Sequence, residues 1–505
     1  MTLDRFRSDD RPILALVVLA SIAVHGVAMI EGLGEQDSAR ILNDAFIWKD
    51  NPGYLSSPEV EYRPRVLPLV LVLVRLLLQL GIPLSSMPQI MNGTNVGVGA
   101  LALVPLFLIW RRIAGRQAAY IALALASAMP AFWLANIYGY PHLIGFALFL
   151  AALNCFLIAL DHDGRAFVRW SILAGALLAL SLGTKADLIL SGGAFLGAAW
   201  LTRRLTVTTT VAALAIPTAA LVFASGMYEI IAGSEVTPVA YAAEWEQRFP
   251  LSLASLLGSE NRAVTLRAPG RVMAMAVALS AVILLFRPDD RRTVFFIMAW
   301  TIPTLLFWGV RQGNSARHLM AAFVPMAVLA SIAIRRIGGT RLVGALATIV
   351  LLVANYGVGS PNRSSIAPSA RLIASRALFQ DYVAGLHAAA GAIADFDEKS
   401  IFVLGKGGNA YATFALLTKA RSVRRVQPEM LELQREDGAI QRVGQAYVVD
   451  HRYAAQAARQ RQEEGYHVVS IDYDLAALLK DFPAPETRPA LSVSQTPRAR
   501  SAPVD

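Results

Sequence analysis

The sequence predicts an α-helical protein that crosses a membrane many times and carries a small α/β domain near its C-terminal end. Of the 505 residues, 55% are hydrophobic, and the mean hydropathy is +0.49, which is outside the range of soluble domains. The apolar runs are separated by links with small basic clusters, the pattern of links held on the cytoplasmic side. From Ser360 onward the composition changes, which predicts the second domain.

The formal net charge of +10 does not indicate a nucleic-acid partner, because the basic residues lie in links between apolar runs. Membrane lipids are the expected partner of such links. Cys155 is the single cysteine, so no disulfide can form within the chain.

The first elements are a cytoplasmic N-terminus and a retained anchor. Residues 1–11 are polar and basic, and Pro12–Ile30 follows as an apolar span with no small-residue cleavage pattern. A long polar loop comes next, with acidic residues at its start and arginines at its end. We take residues 31–87 as a first outer loop that contains juxtamembrane helices.

The segment Val66–Gly81 is apolar, but it is short and carries Arg75 near its middle. An arginine at the centre of a bilayer costs at least ~3 kcal/mol. If this segment crossed, the basic cluster that begins at Arg111 would fall outside, against the positive-inside pattern. The sequence therefore predicts a helix that lies along the outer surface.

The remaining apolar runs alternate in direction and give about eleven spans in total, with the C-terminus outside. The clusters at Arg111, Arg165, Arg203, Arg291 and Arg335 then all fall inside. The runs are Pro88–Trp110, Gln117–Asn136, Gly139–Leu160, Trp170–Gly183, Leu188–Leu201, Thr206–Ile231, Val272–Phe286, Val294–Val310, Leu319–Ile334 and Leu342–Tyr356.

Residues 1–358 are thus predicted to form the transmembrane domain and residues 359–482 an extracytoplasmic α/β domain. Helical patterns alternate there with the β-rich runs IFVLG, YVVD and HVVSID. The turn LGKGGNAY lacks a full phosphate-binding pattern, so we interpret it as a glycine-rich turn. Residues 483–505 are rich in Pro, Ser and Arg and are predicted to be disordered.

The polar loop after the first span contains the strongest candidate for a catalytic base. In QDSARILNDAFIW, the residues Asp37, Arg40 and Asp44 would share one face of a helix. A carboxylate just above the membrane can accept a proton from a hydroxyl or amine acceptor. Alternatively, Asp37 is only the N-cap of that helix, with Glu35 beside it.

Several basic residues are candidates for binding a phosphate at the membrane surface. Arg63 and Arg65 lie on either side of Pro64 in EVEYRPRVLP, where they suit either a specific phosphate or anionic headgroups in general. Lys185 lies with Asp187 in the turn LSLGTKADLIL, which indicates either a ligand contact or a salt bridge.

Two further places add candidates of the same kind. In NIYGYPHLIGF, His142 either contacts a ligand or is a hydrogen-bonded histidine at the interface. Arg317 and His318, in the link RQGNSARH, break the positive-inside pattern and so favour an anionic ligand. No cluster has recognisable metal-ligand spacing, so no cofactor is expected, although a divalent metal stays open.

These pieces together resemble the GT-C class of membrane glycosyltransferases, in particular the bacterial relatives of protein O-mannosyltransferases and lipid A aminoarabinose transferases. The resemblance covers the first 350 or so residues. It is strongest in GEQDSARILNDAF, YRPRVLP, LSLGTKADL and SARHLMAAFVPMAVL, which are similar to the family's acidic motif, proline-rich segment, lysine-bearing turn and late Arg-aromatic-proline span.

The resemblance implies an inverting transferase that moves a sugar from a polyprenyl-phosphate donor to a lipid, glycan or protein acceptor. It implies a multi-pass protein of the bacterial inner membrane, acting at the outer face, with the C-terminal domain in the periplasm. Asp37 matches the base that activates the acceptor, with Glu35 left open as an alternative. The residues that it implies for the donor phosphate or substrate are Glu35, Arg40, Arg63, Arg65, His142, Lys185, Arg317 and His318.

One feature departs from that family pattern. Many relatives have a second acidic residue after the third span, where this sequence has YGYPHLI and His142 stands in its place. Two other functions stay open: a transporter or flippase for lipid-linked sugars, and a non-catalytic envelope assembly protein. The transferase hypothesis predicts that Asp37, Arg63 or Arg65, and Lys185 surround one outward-facing cavity.

Overall fold

The computed structural model describes residues 10–29, 36–56, 68–137, 141–202, 206–232, 269–309, 318–338 and 341–357, and five strands between residues 401 and 495. The chain divides into two compact units. The first comprises Met1–Met29, Leu55–Val70 and Gly93–Arg371, and the second comprises Ile30–Tyr54, Leu71–Asn92 and Leu372–Asp505. The predicted domain boundaries after residues 358 and 482 lie outside the described residues and stay predictions.

Helices account for almost all of the described part up to residue 357. They are α1 (Asp10–Ala28), α2 (Gln36–Asp50), α3 (Pro68–Gln79), α4 (Met87–Ala114), α5 (Arg116–Ser127), α6 (Pro130–Ile137), α7 (Pro141–Ala159), α8 (Gly164–Thr184), α9 (Gly193–Leu201), α10 (Val207–Ala232), α11 (Arg271–Leu285), α12 (Pro288–Gly309), α13 (Met320–Gly338) and α14 (Arg341–Gly357).

Six of these helices are long and apolar enough to cross a bilayer, judged on the described residues alone. The chain is therefore a multi-pass membrane protein, as predicted. The exact number of spans stays a prediction, because several apolar helices are shorter. The six candidate spans are Asp10–Val27, Met87–Ala114, His142–Ala159, Gly164–Thr184, Val207–Ile231 and Pro288–Gly309.

Two predicted spans are interrupted. The run Gln117–Asn136 divides into α5 and α6 at Ala128 and Met129. Met129 precedes Pro130, and the proline ring disfavours the helical conformation of the residue before it. The run Leu188–Leu201 begins within a 3₁₀ helix, Ala186–Gly192, and only then continues as α9.

Helix α3 is short, in agreement with the prediction that its segment does not cross. Its 12 residues extend about 18 Å, well below the ~30 Å of a hydrocarbon core. Within the second unit, the guanidinium of Arg75 lies 4.1 Å from the centre of the Trp48 ring, on α2. This cation–π contact gives the charge in an apolar helix a stabilising partner. The placement of α3 along a membrane surface stays a prediction.

The core of the first unit is built from helices that pack in sequence and across the bundle. Helix α7 packs against α8, α8 also contacts α10, and α12 contacts both α9 and α13. Aromatic side chains fill the centre, where the ring of Phe149 lies 5.7 Å from that of Trp300 and 6.2 Å from that of Phe195. All three side chains are fully buried.

Helices α9 and α12 approach closely where a glycine meets a freed carbonyl. A Cβ built on Gly193 would lie 2.3 Å from the carbonyl oxygen of Ala299. Pro303 lies within α12 and has no N–H to donate to the carbonyl four residues earlier, that of Ala299. The Ala299 carbonyl therefore does not accept the usual hydrogen bond within α12. Because Gly193 has no side chain, the backbone of α9 can pack directly against this carbonyl.

One end of the bundle is held by buried ion pairs, and we call it the ion-paired end. The fully buried carboxylate of Asp10 contacts Arg111 at 2.8 Å and Arg116 at 2.6 Å, and it accepts a hydrogen bond from the Tyr120 hydroxyl at 2.9 Å. Two further pairs, Arg112–Asp161 and Arg336–Asp290, join the ends of other helices there. The predicted inner clusters at Arg111 and Arg335 therefore share one end, because Arg335 also donates to the Ala114 carbonyl at 2.9 Å.

The C-terminal part contains a five-stranded sheet in the order β2-β1-β3-β4-β5. The strands are β1 (Ile401–Leu404), β2 (Val423–Val426), β3 (Ala446–Asp450), β4 (His467–Ile471) and β5 (Val493–Gln495). Strands β1 to β4 are parallel to their neighbours, and β5 is antiparallel to β4. Parallel strands need crossover connections, which lie outside the described residues.

Three of the strands match the predicted β-rich runs, and two do not. Strands β1, β3 and β4 coincide with IFVLG, YVVD and HVVSID. Strand β2 has two arginines at its centre, so a search for apolar runs in the sequence does not find it. Strand β5 lies in the tail that was predicted to be disordered, so that prediction is wrong for residues 493–495, which pair with β4.

Candidate functional site

The candidate site is built around a break between α8 and the following 3₁₀ helix. Lys185 occupies this break in an extended conformation, with φ −151° and ψ 97°. Its amide donates to the Ser181 carbonyl at 2.8 Å, which ends α8. Asp187 follows in the first turn of the 3₁₀ helix. The Lys185 and Asp187 side chains are 10% and 8% exposed, so two opposite charges lie buried together.

Helix α7 approaches this break through a glycine. A Cβ on Gly145 would lie 2.9 Å from Leu188 Cδ1 and 3.1 Å from Lys185 Cβ. The Ser181 hydroxyl donates to the Gly145 carbonyl at 2.8 Å and fixes the contact. This close packing brings the first turn of α7, with His142, next to Lys185.

Helix α12 and the start of α13 complete the site. The indole N–H of Trp308 donates to Asp187 Oδ2 at 3.1 Å. The ring of His318 stacks on Trp308 with 4.0 Å between centres and 17° between planes, and its Nδ1 lies 3.8 Å from the same Oδ2. His142 meets His318 edge to face, with 5.1 Å between ring centres.

These side chains line a small pocket with a cavity volume of about 10 Å³. We call it the histidine–lysine pocket. A lysine and two histidines lie there beside the Asp187 carboxylate, and the other described lining residues are apolar except for Thr304. Its lining residues are His142, Lys185, Asp187, Leu188, Thr304, His318, Met320 and Ala321.

The pocket lies at the opposite end of the bundle from the ion-paired end. Helix α7 begins beside the pocket at His142 and ends beside Asp161, and α12 begins near Asp290 and ends at the pocket. A lysine and two histidines at one site can bind a single anionic group, such as a phosphate.

Of the predicted site residues, the structure brings His142, Lys185 and His318 together. Asp37 and Arg40 lie in α2, in its first two turns, but their side chains are outside the described part. Glu35, Arg63, Arg65 and Arg317 also lie outside the described residues. The prediction that Asp37 and an arginine surround one cavity with Lys185 therefore stays a prediction.

Two residues with polar contacts in the site, Asp187 and Trp308, were not among the predicted site residues. Asp187 was visible in the sequence but fits a simple salt bridge equally well. Trp308 gave no signal, because a tryptophan in an apolar span is typical of core packing or of the membrane interface. Among the described residues, no group of three His, Cys, Asp or Glu side chains lies close enough to hold a metal ion.

Helix α2 agrees with the helical pattern predicted after Asp37. It begins at Gln36, which places Asp37 in the first turn. At the other end of the predicted face, Asp44 accepts a hydrogen bond from the Tyr54 hydroxyl at 3.1 Å. This contact ties the helix to the 3₁₀ turn that follows it within the second unit.

The chain matches no protein-family model, and no curated protein is similar to it in sequence. Solved structures do resemble it. ArnT from Cupriavidus metallidurans bound to undecaprenyl phosphate matches with a TM-score of 0.59 and 15% identity, over 92% of this chain and 94% of that one. The apo form of the same protein gives a TM-score of 0.56 and 14% identity, over 93% and 95%.

A more distant likeness extends to an archaeal enzyme. The oligosaccharyltransferase of Archaeoglobus fulgidus, in complex with Zn and sulfate, matches with a TM-score of 0.53 and 13% identity, over 90% of this chain and 68% of that one. ArnT is a lipid A aminoarabinose transferase, and both proteins are membrane glycosyltransferases of the GT-C fold. At these identities the likeness concerns the fold, and this chain has the GT-C fold that its sequence motifs predicted.

Proposed function

We propose that this protein is an inverting glycosyltransferase that moves a sugar from a polyprenyl-phosphate donor to a lipid, glycan or protein acceptor. The observation that supports this most strongly is the match over nine-tenths of both chains to ArnT with undecaprenyl phosphate bound. The histidine–lysine pocket adds chemical support, because it offers buried positive charge at one end of the same fold.

Transfer with inversion needs two things at the anomeric carbon. One is a base that takes the proton from the attacking hydroxyl or amine, and the other is stabilisation of the departing phosphate. In this proposal Lys185, His142 and His318 stabilise the phosphate. A cation in a site of low dielectric interacts with a phosphate far more strongly than it does in water.

Asp37 is the proposed base, with Glu35 as the alternative. Its position in the first turn of α2 agrees with the predicted helix. Arg40, Arg63, Arg65 and Arg317 are proposed as further contacts to the donor or substrate. These assignments rest on the sequence motifs.

We further propose that the ion-paired end faces the cytoplasm of a bacterial cell and that the pocket faces the outside of the inner membrane. The arginines at that end follow the positive-inside pattern. The N-terminus is then cytoplasmic, and the C-terminal domain is extracytoplasmic.

The test is sugar transfer by the purified full chain in nanodiscs. Labelled polyprenyl-phosphate sugars serve as donors and a bacterial envelope extract as acceptor. We expect Asp37→Asn to lower the rate ~100-fold as the base is lost, and Lys185→Met to lower it by a comparable factor through weaker phosphate stabilisation. Arg165→Met is the matched control, since it also removes one positive charge but lies exposed in the first turn of α8.

Each result separates the candidate functions. Loss of transfer in both variants, with the control unchanged, supports the transferase. Movement of donor across a vesicle membrane without transfer would favour a flippase. Full activity of the Asp37→Asn variant would show that another residue is the base, and Glu35→Gln would be the next variant to test.

A further inference from the structure

A pair of hydroxyl groups joins two elements of the first unit at the histidine–lysine pocket. The Oγ of Ser191, in the 3₁₀ helix Ala186–Gly192, lies 3.3 Å from the Oγ1 of Thr304, in α12. Both side chains are buried, and Ser191 has no exposed surface. Thr304 lines the pocket and Ser191 does not. The Ser191 hydroxyl therefore lies behind Thr304 when the site is viewed from the pocket.

These two hydroxyls differ from other buried hydroxyls of the bundle in the partner that they use. Thr301 and Thr348 donate to carbonyls four residues earlier in their own helices, at 2.8 and 2.7 Å. Within the described part of the chain, neither Ser191 nor Thr304 makes a side-chain hydrogen bond other than the one between them. Each hydroxyl has one proton to donate, and only one of the two protons can lie between the oxygens. The other proton is left for an acceptor outside the pair.

The surroundings of the two groups indicate which proton is left. If Thr304 donated to Ser191, the remaining proton would be that of Ser191, which is fully buried. A buried donor without an acceptor is unfavourable. If Ser191 donates to Thr304, the remaining proton is that of Thr304, which lines the pocket. An acceptor in the pocket therefore favours the second arrangement.

The size of the pocket limits what this acceptor can be. Its cavity volume of about 10 Å³ is close to that of one water-sized group. A single oxygen atom of a phosphate matches that size, whereas a sugar ring is far too large. A hydroxyl also donates more strongly to a charged oxygen than to a neutral one. Both properties suit the phosphate of the proposed donor.

We propose that the Thr304 hydroxyl binds one phosphate oxygen of the polyprenyl-phosphate ligand, and that Ser191 is a positioning residue that donates to Thr304 and directs its proton into the pocket. A hydroxyl that accepts one hydrogen bond becomes a better donor of its own, because hydrogen bonds in a chain polarise one another. This inference rests on the proposed function for the identity of the ligand.

The test compares undecaprenyl phosphate with undecaprenol, which has the same chain but no phosphate. Each lipid is titrated into the full chain in nanodiscs, and bound lipid is counted by native mass spectrometry. Thr304→Val replaces the hydroxyl with a methyl group of similar size. We expect it to weaken binding of undecaprenyl phosphate about tenfold, the effect of losing one hydrogen bond to a charged group. Binding of undecaprenol should not change, whereas a merely structural defect would affect both lipids.

Three further variants separate the hydroxyl from the shape of the side chain. Thr304→Ser keeps the hydroxyl and should bind within about twofold of the wild type. Thr301→Val is the matched control, because it makes the same change in the same helix at a hydroxyl that donates to the Ile297 carbonyl. It should bind as the wild type does. Ser191→Ala should weaken binding about threefold in the wild-type background and cause no further loss in Thr304→Val, since it acts through Thr304.

The inference is wrong if Thr304→Val keeps wild-type affinity, if Thr301→Val loses as much, or if undecaprenol is affected equally. It is also wrong if Thr304→Ser binds as weakly as Thr304→Val. A full additional loss from Ser191→Ala in the Thr304→Val background would overturn the positioning role of Ser191.

The same samples are assayed for sugar transfer, which separates this inference from the proposed function. If the loss is selective for the phosphate but the wild type transfers no sugar, the Thr304 contact stands and the proposed function fails. If the wild type transfers sugar and Thr304→Val binds both lipids normally, the proposed function stands and the inference fails.

Discussion

Gly145 decides how closely α7 can approach the residue that is proposed to bind phosphate. The space where its side chain would lie is taken by Leu188 and by Lys185 itself, at 2.9 and 3.1 Å. Any larger residue must displace the turn that orients the lysine. The glycine is therefore a part of the site, although it has no functional group.

We expect Gly145→Ala to weaken binding of undecaprenyl phosphate about tenfold, because the new methyl group pushes Lys185 out of line by a few tenths of an ångström. Lipid counting by native mass spectrometry checks this. Gly175→Ala in α8 is the control, since nothing lies within 4 Å of the added methyl group. Equal binding by both variants would show that the position of the Lys185 turn is not critical.

For single residues, the sequence identified which side chains belong to the site better than it identified which side chains contact one another. His142, Lys185 and His318 were candidates because charged or titratable groups at the end of an apolar span need a reason to be there. Their proximity depends on Gly145 and on the stacking of His318 on Trp308, and neither contact leaves a pattern along the chain. For the same reason Asp187 looked like a plain salt-bridge partner.

Among the elements, α9 and α12 pack so closely that a glycine of one meets the backbone of the other. Gly193 faces the Ala299 carbonyl so closely that a Cβ would lie 2.3 Å from its oxygen. Backbone atoms cannot move aside as the end of a flexible side chain can. Substitution must therefore separate the two helices.

We expect Gly193→Ala to destabilise the protein by about 2 kcal/mol, the usual cost of overpacking, and to lower the midpoint of thermal unfolding by several degrees. Unfolding in detergent followed by tryptophan fluorescence measures this. Gly226→Ala in α10 should leave the midpoint unchanged or slightly raised, because its methyl group meets nothing within 4 Å. A shift of the same size in both would argue against a tight seam.

The helices and strands were the features most readily predicted from the sequence. Apolar runs with basic links predict the spans, and Arg75 with the parity of the later links predicts that α3 does not cross. The break at Met129 had its signal in Pro130, which was passed over because the run is apolar throughout. Strand β2 could not be found from hydrophobicity, since it is stabilised by backbone pairing to β1 rather than by an apolar pattern.

For the whole molecule, the two ends of the bundle differ in how their charges are used. At the ion-paired end, arginines from several helices are matched to Asp10, Asp161 and Asp290. At the pocket end, Lys185 and His318 lie near Asp187. The direction of the chain across the membrane stays a proposal, based on the positive-inside pattern.

Site-directed labelling checks that direction. Single cysteines replace Arg165, in the first turn of α8, or Glu229, near the far end of α10, in a Cys155→Ser background. Both positions are exposed. In intact spheroplasts an impermeant maleimide should label the cysteine at 229 and spare the one at 165 until the membrane is opened. The reverse pattern would invert the proposed topology.

Four short motifs predicted the fold as a whole, although the full sequence has little similarity to that of the proteins with the same fold. The chain shares only 15% of its residues with the ArnT structure that it matches over 92% of its length. Long apolar helices are interchangeable in sequence as long as they stay apolar, so identity is lost quickly while architecture is kept. The place where the sugar and acceptor bind depends on cavity shape, which no linear pattern records.

Pro303 gives α12 a mechanical joint. Its ring removes the hydrogen bond to Ala299, and Thr304 and Trp308 lie immediately beyond it. Helices bend most readily at such a proline, so a bend of α12 would fall between the part that packs on Gly193 and the two turns that carry Thr304 and Trp308. The position of these two side chains therefore depends on the angle of that bend as well as on the packing of the rest of the helix.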